Sequence, residues 1–127
     1  MPSDLAGKWR SLSLLVLAEI AGMSLWFMSA AILPDLTREF DIAPFNQAAL
    51  SSAVQIGFVA GALASAILGL ADRIDPRWLF AACALLAALF NASLLVVEPG
   101  GIVSIFARFA TGALLAGVYP VGMKIVV

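Results

Sequence analysis

Asp72-Arg73-Ile74-Asp75-Pro76-Arg77 places four charges between two apolar runs, residues 48–71 and 78–97. Each run has the roughly 20 residues that a helix rising about 1.5 Å per residue needs to cross about 30 Å of hydrocarbon. A six-residue charged connection between two such runs is a membrane loop, and it forces its flanking helices to lie antiparallel. Two further runs, residues 12–33 and 102–127, meet the same length requirement. The expectation is an all-α membrane protein of four transmembrane helices at about 12–33, 48–71, 78–97 and 102–127. Residues 1–127 are read as one incomplete membrane domain.

Composition agrees. Hydrophobic residues make up 63% of the 127 residues and charged ones 12%, far from the soluble average of about 25% charged. Mean hydropathy is +1.06. The run lengths and the lack of alternating polarity exclude a β-barrel. The net charge of -1 says little about partners, because charge here acts through its distribution. A cleavable leader is disfavoured: the first run is too long for one, contains Glu19, and reaches Pro34-Asp35 without an A-x-A site. The lone Cys83 permits no internal disulfide and reads as packing. Asn91-Ala92-Ser93 spells a glycosylation acceptor but sits at membrane depth, where no transferase reaches, and is set aside.

Orientation follows from the bases. Lys8 and Arg10 precede the first run, and Arg73 and Arg77 flank the second connection. Residues 34–47 hold only Arg38 among Asp35, Glu39 and Asp41, and Glu98-Pro99-Gly100-Gly101 holds no base. The positive-inside rule then puts both termini in the cytoplasm. Local turn chemistry predicts Asn46 as the cap of the second helix and Asp75 as the cap of the third, with Pro76 at its first position. Pro99-Gly100-Gly101 predicts a tight turn into the fourth.

Small residues recur at every fourth position in the second run: Gly57, Gly61, Ser65 and Gly69. That spacing lets another backbone approach closely, within one bundle or between two copies of the chain.

Two stretches carry a resemblance. Leu70, Ala71, Asp72, Arg73 and Arg77, within Leu68-Gly69-Leu70-Ala71-Asp72-Arg73-Ile74-Asp75-Pro76-Arg77, match the loop signature of the major facilitator superfamily, G-x-L-a-D-r-x-G-r-k. Gly69 falls one step late, Asp75 replaces the second glycine, and Pro76 replaces a base. Arg108-Phe109-Ala110-Thr111-Gly112 in the fourth run resembles that family's R-x-x-x-G motif. The resemblance implies the first four helices of the N-terminal six-helix half of a secondary transporter, in a bacterial inner (plasma) membrane. It implies that Asp72 latches onto the end of a helix in the other half of the molecule, absent from this chain, with Arg73 and Arg77 as gating-loop residues or plain topology anchors. The implied cargo is a small solute moved with protons or another ion; as a fragment, the chain is expected to be inactive alone.

The buried polar residues are the candidates for a solute or ion pathway. Arg108 lies roughly 9 Å from the outer end of its helix, where a charge is costly unless it faces a bundle interior or snorkels outward. Helical spacing puts Thr111, Gly112, Leu115 and Tyr119 on its face, with Gly112 also a packing residue. Tyr119-Pro120 reads as a kink. Glu19, about 11 Å inside the first helix, is desolvated in a way that suits a proton carrier, or else is paired for packing. Its pairing with Arg108 stays open, because the two start from opposite faces. Gln55 and Trp26 complete the set, while Trp9 and Trp78 fit an interfacial belt. Lys124, near the cytoplasmic end, reads as an anchor.

Glu19 also supports a rival, because Ala18-Glu19-Ile20-Ala21-Gly22 in a short four-helix chain is similar to the small multidrug resistance family, proton/drug antiporters that work as dimers. A non-transporting membrane protein is the third reading. The absence of histidine, phosphate-binding loops and metal-ligand spacings implies no enzyme, no cofactor, no metal site and no nucleic-acid partner. The expected partners are the lipid bilayer, a small-molecule substrate, and the remainder of the transporter or a second copy of the chain.

Overall fold

A computed structural model describes residues 2–126, so Val127, the last residue of the fourth expected span, lies outside it. The fold is all-α with four spans, Leu5–Glu39, Pro44–Leu68, Pro76–Leu95 and Ile102–Ile125, each long and apolar enough to cross a membrane. No strand occurs among the described residues.

Helix α1, Pro2–Glu39, runs well past both ends of the expected span. Its 38 residues measure about 57 Å, so both ends extend beyond the hydrocarbon. Pro34 lies inside it and does not stop it. The Thr37 hydroxyl donates to the Pro34 carbonyl at 2.9 Å, and an exposed Asp35–Arg38 pair at 3.7 Å follows.

Helix α2, Pro44–Leu68, starts earlier than expected, with Pro44 in the first turn and Ala43 as its cap. Asn46 is therefore inside the helix and caps nothing. Its side-chain amide donates instead to the Gly100 carbonyl at 2.9 Å, tying α2 to the distant turn. That turn is tight because Gly100 has φ 78° and lies against Ile42, where a side chain would collide.

Gly69 also departs from expectation. It does not extend the packing stripe; with φ 60° it ends α2 in the left-handed conformation that glycine tolerates. A single turn, α3 (Leu70–Arg73), follows. Helix α4, Pro76–Ala92, begins as expected: the Asp75 carboxylate accepts from the Arg77 backbone N–H at 2.9 Å, with Pro76 in the first turn. It ends in the 3-10 turn Ser93–Leu95.

The fourth span is two helices, α5 (Ile102–Leu115) and α6 (Tyr119–Val126). Pro120 lacks the N–H that would bond the Ala116 carbonyl, so the ladder breaks just before it. Across the break, Gly117 and Val118 bond three residues back, at 2.9 Å each.

Helices α2 and α5 form the tightest pair. A Cβ on Gly57 would overlap the Phe109 carbonyl, one on Gly61 the Ala113 carbonyl, and one on Gly112 the Val54 carbonyl. The small-residue stripe thus serves contact within this bundle. Ser65 continues it half-buried. Val54, Ala87, Leu115 and Val118 form the core, flanked by Trp26, Phe58 and Phe80. Helix α1 is the least covered: 6% of its apolar window is buried, against 50% for the fourth span. A surface that apolar is stable facing lipid or further helices, not water.

Candidate functional site

Arg108 is the centre of the site. It is 0% exposed and faces the bundle interior, so it does not snorkel. One terminal nitrogen donates to the Leu25 carbonyl at 2.8 Å and to Asn91 Oδ1 at 3.1 Å. The other donates to the Trp26 carbonyl at 3.0 Å and to Ser29 Oγ at 3.0 Å. One guanidinium thereby joins α1, the end of α4 and α5. All four acceptors are neutral, so dipoles solvate the charge without cancelling it. Its Nε is buried without a partner. The only ion pairs among the described residues are Asp35–Arg38 and Asp72–Lys124.

A cavity of about 500 Å³ opens beside the guanidinium, between α1, the end of α4, the Pro99-Gly100 turn and α5. Arg108, Ser29, Asn91 and Ser104 supply its polar lining; Ile32, Leu36, Leu50 and Leu95 are among its apolar walls. The Ser104 hydroxyl is spent on the Glu98 carbonyl, and Thr111, fully buried, donates to the Ala107 carbonyl at 2.8 Å within its own helix. Ser29 and Ser104 are not among the sequence candidates, and Asn91 enters there only as a glycosylation acceptor set aside at membrane depth; the signal that could have found all three is a polar residue within an apolar run.

Glu19 and Tyr119 form a second cluster toward the other end of α1. One Glu19 carboxylate oxygen rests where a side chain on Gly122 would be, and the other is buried without a partner. The Tyr119 hydroxyl donates to the Glu19 backbone carbonyl at a long 3.4 Å. Phe58 bridges this tyrosine to Trp26: the Trp26–Phe58 rings stand edge-to-face at 5.3 Å, and Phe58–Tyr119 lie 6.4 Å apart. Glu19 and Arg108 do not pair. Arg108 engages α1 from Leu25 onward, six residues and about 9 Å farther along the helix. Gln55 joins neither cluster; it is exposed on α2.

The loop residues part company. Asp72 has a partner inside the chain: Lys124 Nζ donates to its carboxylate at 2.6 Å and to the Ala71 carbonyl at 2.9 Å. Lys124 is therefore tied to the loop within this chain, through an exposed pair. The Gly69 turn lays Asp72 over the end of α6, and the break before Tyr119 sets Lys124 beneath it. Hydrogen bonding to Lys124, reinforced by its charge, holds the Asp72 carboxyl below the usual 3.8. Arg73 and Arg77 are exposed and unpaired.

No family model, no curated protein and no solved structure matches the chain.

Proposed function

We propose that this chain forms the first four helices of a major facilitator-type secondary transporter and contributes half of a pathway for a small solute. The observation that carries this reading is Arg108, a fully buried cation inside a membrane span, clamped between α1 and α4 beside a cavity of about 500 Å³. A charge at that depth is retained for a pathway or for a built polar contact. Here it has both. In such carriers two halves rock around a midplane site, which requires helices that bend and loops that latch. The break between α5 and α6 and the Asp72–Lys124 pair are suited to those roles. The chain sits in an inner (plasma) membrane with both termini cytoplasmic, because Lys8, Arg10, Arg73 and Arg77 share one end of the bundle. Its role is transport and not bond chemistry, coupled to protons or another ion.

One observation favours the rival proton/drug antiporter: the buried Glu19 oxygen that lacks a partner. Reconstitution separates the two. Vesicles containing this chain alone are expected to show no proton-coupled uptake of cationic dye, and the genomic frame following its last codon is expected to encode further spans. Uptake by the chain alone, abolished in Glu19→Gln, would overturn the carrier-fragment reading.

A further inference from the structure

From the arrangement around Arg108 we infer that the cavity binds an amphipathic monoanion, a carboxylate with an apolar tail, seated with its head on Arg108 and its tail toward Leu36 and Leu95. This names the substrate class of the proposed carrier and rests on that reading for its meaning, though not for its test.

Three features converge. The first is uncancelled charge. Arg108 is 0% exposed, its four hydrogen bonds go to neutral acceptors, and it makes no ion pair among the described residues. A cation so placed gains more from an incoming anion than a solvated one does, because the surroundings are of low dielectric.

The second is a set of donors with capacity in reserve. Arg108 Nε–H has no acceptor. Ser29 accepts from Arg108 through its oxygen and keeps its own proton to donate. The Asn91 amide nitrogen gives one hydrogen to the Met28 sulfur at 3.0 Å, a weak acceptor that a carboxylate oxygen outcompetes. Three donors from three side chains that line one cavity suffice for the two oxygens of one carboxylate. They do not match a phosphate dianion, which would bring a second negative charge and a third oxygen to a site with one cation.

The third is the wall. Beyond the polar end the cavity is lined by Ile32, Leu33, Leu36, Leu50, Leu94 and Leu95, and its volume of about 500 Å³ is that of a small-molecule site, mostly apolar with a few placed polar groups. A fully hydrophilic anion would leave those walls unused and lose its own hydration. An alkyl carboxylate satisfies both ends.

The test uses the full chain in lipid nanodiscs, with octanoate as the probe and octan-1-ol and octylammonium as controls of the same tail length, read by isothermal titration calorimetry against empty nanodiscs. Octanoate is expected to bind saturably, one per chain, at least tenfold more tightly than either control. Arg108→Met is expected to reduce that affinity at least tenfold. Because this variant also removes a clamp, Ala92→Trp serves as a second one: it fills the cavity from α4 and leaves the guanidinium in place. It too is expected to weaken octanoate at least tenfold with the helical circular dichroism unchanged. Equal uptake of all three probes, or octanoate binding unchanged in Ala92→Trp, would overturn the inference. A longer form that transports while this chain fails to bind octanoate refutes the carboxylate site alone. A chain that binds octanoate, whose longer form moves nothing, refutes the carrier alone.

Discussion

Gly112→Ala should separate α2 from α5, and the cost can be worked from the backbone. The added Cβ would overlap the Val54 carbonyl oxygen, with the carbonyl carbon at 2.7 Å and Cα at 2.9 Å. Ordinary contact begins at 3.4 Å, and backbone atoms cannot rotate away, so the helices must part by at least about 0.7 Å to clear the carbonyl carbon, and by more to clear the oxygen. A gap of that size forfeits roughly a quarter to a half of each dispersion well of about 0.1–0.2 kcal/mol. Over an interface of roughly fifty atom pairs the loss is at least about 3 kcal/mol, at or above the upper end of the range for overpacked interiors. Gly57→Ala makes the same demand on the same pair, against Phe109. One separation relieves both, so the double variant should cost less than the sum of the singles by about 1 kcal/mol or more. The assay is unfolding in mixed micelles against added sodium dodecyl sulfate, followed by helical circular dichroism. Gly7→Ala is the control, since nothing lies within 4 Å of its Cβ position. A Gly112→Ala midpoint equal to that of Gly7→Ala would refute the close approach of these two helices.

Three other outcomes are expected. Gly69→Ala, which forces a Cβ into φ 60°, should cost about 1–2 kcal/mol in the same assay with no loss of α2–α5 contact. Asp72 has its carboxyl lowered below 3.8, so the Lys124 pair contributes fully above the ordinary value and is lost only as pH falls through the lowered one; a carboxyl-carbon NMR titration should place its midpoint under 3.8, and Lys124→Ala should bring it back up. Arg108→Met should loosen α1 specifically: spin-label distances from α1 to α5 should broaden while those from α2 to α5 stay narrow, and an unchanged α1 distribution would contradict the clamp.

The bilayer made the four spans legible, because hydrocarbon thickness imposes a length that charge-free runs either reach or miss. The ends were less so. A helix in lipid keeps its own hydrogen bonds, so α1 continues through Pro34 and out beyond both interfaces, where hydropathy gives no signal. Gly69 fitted a four-residue spacing and turned out to be a left-handed cap, since spacing alone does not tell a packing glycine from a terminating one. Burial of Arg108 followed from its depth, but its partners did not: which turn of α1 it meets depends on how two helices rotate against each other. For the same reason neither Ser29 nor the hydrogen-bonding role of Asn91 is legible in the sequence, and Lys124 reads there only as an anchor. Its pairing with Asp72 arises only once Gly69 folds the loop back and the Pro120 break redirects the chain.

The span from Leu25 to Arg108 has a meaning in time as well as space. The clamp joins residues 83 positions apart. At about 5–20 residues per second, α1 leaves the ribosome about 4–17 seconds before the guanidinium that holds it. During that interval it must reside in the bilayer without this clamp, which its largely apolar surface allows. Biogenesis is thus written into the bonding order: the earliest helix waits for a charge delivered by the fourth span.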